Sequence, residues 1–100
     1  MDAKPVVFED FADRVGETFT VLGLGEIAPV LTLTTADLLP IHPGGPAMRP
    51  PFSLIFDGPS DLLLLQRTYD IENAGGGQVT VFMVPVGRTA EAITYQVIFN

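Results

Sequence analysis

Residues 51–59 read Pro-Phe-Ser-Leu-Ile-Phe-Asp-Gly-Pro, and this stretch decides the fold of the chain. Between Phe52 and Phe56 only Ser53 is polar, and turn-forming residues follow at once. A short apolar run that ends in such residues is typical of a β-strand covered on both faces. Two later stretches, residues 78–86 and 92–100, contain no charged side chain. We therefore expect these three segments to be strands of one sheet.

Alternation of apolar and polar residues extends the strand pattern beyond these segments. Residues 17–24 and 29–39 alternate threonine with larger apolar side chains, and Tyr69 and Ile71 alternate with polar neighbours. A glycine-rich turn at residues 73–77 is typical of a hairpin. The pattern predicts six strands, over about residues 17–24, 29–39, 51–57, 63–72, 78–86 and 92–100.

The N-terminal part follows a helical period instead. Phe8, Phe11, Ala12 and Val15 recur at helical spacing, and Gly16 comes directly after them. This predicts a short helix over residues 8–15, which needs a docking surface because two isolated turns are only marginally stable. Residues 1–100 are thus predicted to be a single, mainly all-β domain: a small antiparallel six-stranded barrel or sandwich with one short N-terminal helix.

The last two predicted strands need protection against pairing with other chains, because they carry no charged side chain. Strands without charge pair readily with other chains when their edges are free. We expect either that the fold closes on residues 78–86 and 92–100 or that an identical subunit covers them.

Composition and charge exclude several classes of function. The chain has 100 residues, 47% of them hydrophobic, and a net charge of −7 from twelve acidic and five basic residues. Because the basic residues never cluster, neither nucleic acid nor an anionic membrane is an expected partner. The chain has no cysteine, which leaves its redox compartment open. Its N-terminus lacks the pattern of a secretion signal and no apolar run approaches the roughly 20 residues of a membrane span, so we expect a soluble protein, by default in the cytoplasm.

One speculative site is visible in the sequence. His42, the only histidine, lies in a proline-rich loop over residues 40–51, and Asp57 and Asp61 flank a following turn. These three side chains could supply acid–base chemistry if they converged. The alternative reading is an ordinary exposed loop histidine beside a plain β-turn. No catalytic, cofactor-binding or metal-binding residue is assigned, and no cofactor is expected.

Several phrases resemble a family of short bacterial proteins of unknown function. They are Phe-Ser-Leu-Ile-Phe-Asp-Gly-Pro (52–59), Gln66 with Thr68-Tyr69, Val-Pro-Val-Gly (84–87) and the C-terminal Tyr95 with Phe99-Asn100. Arg67 departs from the family pattern, which has glycine before Thr-Tyr. The resemblance carries no established activity. It implies a small accessory protein encoded beside tail-collar-like proteins of phage-derived systems, and hence a structural or assembly role.

The sequence therefore favours a non-enzymatic protein-interaction or assembly module that binds a protein partner or itself, as a homodimer. The alternative is a small-molecule-binding β-barrel or a minor hydrolase that uses His42 with Asp57 and Asp61. These two readings predict different locations for function. The first needs an exposed surface, whereas the second needs a concave site.

Overall fold

The structure, a computed structural model, describes residues 8–40 and 51–99. Its elements are α1 (Glu9–Ala12), β1 (Thr18–Val21), β2 (Val30–Leu38), β3 (Phe52–Pro59), β4 (Arg67–Asn73), β5 (Gln78–Arg88) and β6 (Ala92–Phe99). The strands are antiparallel and close into a barrel in the order β1-β2-β3-β6-β5-β4, with β4 paired to β1. The predicted all-β class is confirmed, and the barrel is the architecture that forms.

Closure of the barrel settles the edge problem of the uncharged strands. β5 lies between β4 and β6, and β6 lies between β5 and β3, so both edges of each strand are paired. Side chains alternate between the two faces along each strand. The interior of the barrel is filled by large residues that are almost fully buried, including Phe19, Leu31, Leu33, Phe52, Leu54, Phe56, Ile71, Met83, Tyr95 and Val97.

The N-terminal helix is shorter than predicted. The expected helix over residues 8–15 is only Glu9–Ala12, and turns carry the chain from Asp13 to Gly16. The helix ends early because Gly16, at a φ of 94°, must turn so that its N–H can donate to the carbonyl of Leu33. The expected docking does occur, because the Phe11 ring lies 6.0 Å from that of Phe52 and 5.8 Å from that of Phe99.

The fourth strand also differs from its predicted range. The apolar run at residues 62–65 belongs to a crossover that carries the chain from β3, past β6 and β5, to β4. Within the crossover, the N–H of Leu64 donates to the Tyr95 hydroxyl at 2.9 Å, and that hydroxyl donates to the Leu62 carbonyl at 3.3 Å. The Tyr69 hydroxyl donates to the Leu65 carbonyl at 2.7 Å. Backbone groups that a strand would pair with a neighbour are thus partly satisfied by two tyrosines.

Gly58 makes room for the ring of Tyr95 inside the barrel. A Cβ atom at Gly58 would lie 2.7 Å from Leu31 Cδ2 and 3.1 Å from Tyr95 Cε2, both closer than normal contact. Leu31 and Tyr95 are fully buried, so neither can swing into solvent. The glycine on β3 is therefore required by packing, not by an unusual backbone angle.

Among the described residues, the structure contains no helix of sufficient length and apolarity to cross a membrane.

We predict that Gly58→Ala lowers the free energy of unfolding by about 1–3 kcal/mol, the usual cost of forcing extra atoms into a packed core. Chemical denaturation measures this change. Gly87→Ala is the matched control, because a Cβ there meets only ordinary contacts at 3.8 Å or more. Replacing glycine without a clash is neutral or slightly stabilising. Equal behaviour of the two variants would contradict the packing role of Gly58.

Candidate functional site

The three residues of the speculative loop site fall in different settings. His42 lies outside the described residues. Asp57 is half-buried on the outer side of β3, where it accepts a hydrogen bond from the Thr94 hydroxyl at 3.2 Å. Asp61 is exposed in the turn that follows β3. Asp57 therefore links β3 to β6, and the acid–base role of the three residues stays a prediction.

A cleft lies at the end of the barrel opposite to the turn that follows β3. A cleft of about 390 Å³ opens between α1, the start of β5 and the turn that joins β4 to β5. The rings of Phe11 and Phe19 contribute an apolar floor, and both residues are almost fully buried. The remaining lining residues are Asp10, Arg14, Asn73, Gly76, Gly77, Gln78 and Val79. Its volume lies in the range of small-molecule pockets.

A network of polar side chains holds the rim of this cleft together. The Arg14 guanidinium donates through Nε to the Asp10 carbonyl at 3.0 Å, and through Nη1 to Asn73 Oδ1 at 3.1 Å. Nη1 also lies 3.4 Å from Glu17 Oε1, an ion pair whose two side chains are 44% and 43% exposed. Asn73 Nδ2 donates to the same Glu17 oxygen at 3.0 Å. Solvent screening makes the ion pair itself weak, so the network matters mainly through the buried amide.

Asn73 is the centre of that network. The residue is only 5% exposed, and its Oδ1 atom accepts from both Arg14 and the Gly75 N–H. These bonds fasten α1 and the segment before β1 to the β4–β5 turn. The arrangement explains the cleft's shape, and it leaves Arg14 as a cation that is already paired with Glu17.

Tyr69, which bonds to the crossover, has a hydroxyl whose pKa departs from its ordinary value. Burial raises the pKa of the Tyr69 hydroxyl above its usual value of 10.0, the nearby Arg67 guanidinium opposes the shift, and Tyr95 adds to it. The Arg67 guanidinium lies 5.0 Å from the centre of the Tyr69 ring. Because Tyr69 must stay protonated to donate to the Leu65 carbonyl, its neutral form is the one that holds the crossover.

The outside of β5 and β6 is an uncharged part of the surface with exposed apolar side chains. We call the outward surface formed by Phe82, Val84, Val86, Thr94, Gln96 and Ile98 the β5–β6 face. Phe82, Val86 and Ile98 are 51%, 52% and 47% exposed, respectively. The face carries no charge, although the chain has a net charge of −7. An uncharged, half-exposed apolar surface on an acidic protein is typical of an interaction site.

Some of these features are visible in the sequence, and others are not. The lack of charge in β5 and β6 was visible, but the outward direction of Phe82 was not, because Met83 beside it is equally apolar. The partnership of Arg14 with Asn73 joins residues 59 positions apart. The one available signal was an asparagine directly before a glycine-rich turn.

Comparison with known proteins gives one finding. A family model with the description "Domain of unknown function (DUF6916)" matches residues 6–99. No curated protein and no solved structure matches the chain. The expected family is therefore confirmed at the level of a domain of unknown function.

We predict that Asn73→Ala lowers the free energy of unfolding by about 1–3 kcal/mol, because it leaves hydrogen-bonding groups of Arg14, Glu17 and Gly75 without their partner. Asn73→Asp is the informative comparison. It keeps the acceptor for Arg14 and Gly75 but loses the Nδ2 donor to Glu17, so it should destabilise the fold less than Asn73→Ala. Urea denaturation measures both effects. An unchanged unfolding midpoint for Asn73→Ala would contradict the role of the network.

We predict that Tyr69 titrates above pH 10.0 and that its ionisation destabilises the fold. The raised pKa means that the native state favours the neutral phenol, so this contribution to stability is complete below pH 10.0 and is lost as the pH rises through the folded pKa. NMR of ¹³C-labelled tyrosine measures the titration. Tyr69→Phe assigns the signal and should remove the part of the alkaline destabilisation that comes from this phenol. Titration of Tyr69 at or below pH 10.0 would contradict the assignment.

Proposed function

The chain belongs to the DUF6916 family of domains of unknown function, and we propose that it is a non-enzymatic protein-interaction module that binds a protein partner on the β5–β6 face. The observation that carries this proposal is the exposure of Phe82, Val86 and Ile98 on two strands whose outward residues have no charge. Covering the exposed half of one such side chain would contribute about 1 kcal/mol to binding.

The position of the face within the fold also supports this function. β5 and β6 are held on both edges by neighbouring strands, so the face is rigid and is presented without any change of shape. A rigid surface loses little conformational entropy on binding. An assembly component needs such a preformed surface.

We further propose that the protein acts in the assembly of a phage-tail-like particle. The sequence resembles small accessory proteins encoded beside tail-collar-like proteins, and an uncharged docking face fits a subunit of that kind of particle. Assembly of such a particle would take place in the cytoplasm. The partner in this proposal is a protein, not nucleic acid, because the net charge of −7 opposes binding to phosphate.

A second candidate function is the binding of a small molecule in the cleft beside Arg14. Its volume of about 390 Å³ and its apolar floor favour this reading. We rank it second because the polar groups on its rim already bond to one another. A ligand would have to compete with these bonds.

In-cell photo-crosslinking tests the proposed function. A benzophenone-bearing phenylalanine analogue at position 82 of the full chain should yield a discrete crosslinked species in the native cells, because position 82 lies within the face. The same analogue at Val15, which is 49% exposed on another part of the molecule, is the control. Mass spectrometry identifies the captured protein. Equal yields at both positions, or none at position 82, would refute a docking role for this face.

A further inference from the structure

We propose that the crossover, residues 60–66, acts as a lid that opens and closes one end of the barrel while the strands stay paired. The crossover begins at the end of the barrel where Pro59 of β3 pairs with Ala92 of β6. Its residues lie outside the β5–β6 face, so the lid is a property of the chain beyond the proposed function. The burial, the backbone bonds and the side-chain bonds of the crossover all support this.

Leu64 closes this end of the barrel. Residues 62–65 are all leucine. Leu64 is 5% exposed and belongs to the core, whereas Leu63 and Leu65 are 51% and 66% exposed. The crossover therefore gives the core one almost fully buried side chain. Withdrawing Leu64 uncovers this end of the core without separating any strands.

The backbone of the crossover has almost no hydrogen bonds to other backbone groups. Within residues 8–40 and 51–99, its one bond of this kind runs from the Leu62 N–H to the Pro59 carbonyl, at a long 3.4 Å. By contrast, β3 pairs with β6 over all of its 8 residues. Opening the crossover breaks one backbone bond, whereas releasing a strand breaks a whole ladder. Segments with few backbone bonds and few buried contacts open at a lower free energy than the fold as a whole.

The Tyr95 hydroxyl fastens the middle of the crossover. It accepts from the Leu64 N–H and donates to the Leu62 carbonyl. Tyr95 itself is fully buried in the barrel. Because the hydroxyl belongs to β6 and not to the crossover, it keeps its place when these two bonds break. The closed state can therefore form again without rearrangement of the core.

Two further side chains fasten the ends of the crossover. The Tyr69 hydroxyl donates to the Leu65 carbonyl at one end. At the other end, Arg88 Nη2 donates to the Ser60 carbonyl at 3.1 Å, and this bond is exposed, so water competes with it. Tyr69 lies on β4 and Arg88 on β5. The strands thus carry the groups that hold the lid closed.

Opening changes the surface that the molecule presents. In the closed state Leu63 and Leu65 are exposed on either side of a buried leucine, whereas in the open state residues 62–65 form one continuous apolar segment. A ligand that binds only the open state shifts the equilibrium by as much as its affinities for the two states differ. The crossover is thus a two-state element, and an apolar ligand at this end would regulate closure of the barrel.

Native-state hydrogen exchange of the full chain, followed by NMR, tests the lid. The Leu64 amide should exchange about ten-fold faster or more than the amides of Leu54 and Val97, which lie in the ladder between β3 and β6. Its rate should rise little in dilute urea, because opening the lid exposes much less surface than global unfolding does. Equal rates and equal urea dependence for the three amides would overturn the inference.

Two variants separate opening of the lid from unfolding of the barrel. Tyr69→Phe removes the bond to the Leu65 carbonyl but leaves the Leu64 N–H its own acceptor, so Leu64 exchange should become about three- to ten-fold faster. Val79→Ala, the control, removes packing beside the cleft at the opposite end of the barrel, and these contacts persist while the lid is open. It should accelerate Leu54 exchange by about five-fold and leave Leu64 exchange unchanged.

Circular dichroism checks that both variants fold. If Val79→Ala accelerates Leu64 and Leu54 equally, the crossover opens only together with the barrel, and the lid is wrong. If Tyr69→Phe leaves Leu64 exchange unchanged, the crossover does not open as one unit, which also overturns the inference.

Discussion

The barrel depends on the packing of the Tyr95 ring against Gly58. A Cβ at position 58 would lie 2.7 Å from Leu31 Cδ2 and 3.1 Å from Tyr95 Cε2, so glycine leaves the ring its place. That place brings the Tyr95 hydroxyl to the crossover, where it accepts from the Leu64 N–H and donates to the Leu62 carbonyl. One side chain therefore fills the interior and fastens the segment that joins the two halves of the sheet. A crossover without such bonds would leave its backbone groups poorly satisfied next to the core. Gly58 thus leaves room for the tyrosine that holds the crossover, and the crossover leads the chain to β4 beside β5.

Closure of the barrel also affects which residues its outer surface needs. A closed sheet protects its edges by pairing them, so the outward residues of β5 and β6 need no charged side chains to prevent edge-to-edge association. Charged residues of the described part of the chain lie instead on α1, in the turns and mainly on other strands, such as Asp70 and Glu72 on β4. The remaining uncharged surface is a face, and association through a face requires a partner of matching shape. This distinguishes a specific contact from the open-ended pairing of exposed strands.

The class of fold could be predicted because residues 51–59, 78–86 and 92–100 have strong strand patterns, and the number of strands followed from the turns between them. The limits of elements could not be predicted where tertiary contacts decide them. The helix ends at Ala12 because Gly16 must reach Leu33, and the apolar residues 62–65 are a crossover because two tyrosines bind their backbone. The rim network around Asn73 could not be predicted either, since its members come from two stretches of sequence that are far apart, residues 10–17 and 73–75. Phe82 and Met83 are alike in hydrophobicity, so only the closed ladder determines which of them faces solvent.

A closed barrel of six strands has little room for a ligand in its interior. Even eight-stranded barrels are only just wide enough for side chains or one small ligand, and a six-stranded barrel is narrower. Here Phe52, Phe56 and Tyr95 are fully buried and occupy the interior. A ligand inside would have to displace them, at a cost comparable to losing the core. With so full an interior, specificity must come from the outer surface or from the cleft beside α1, and the β5–β6 face combines strands paired on both edges with exposed apolar side chains and freedom from charge.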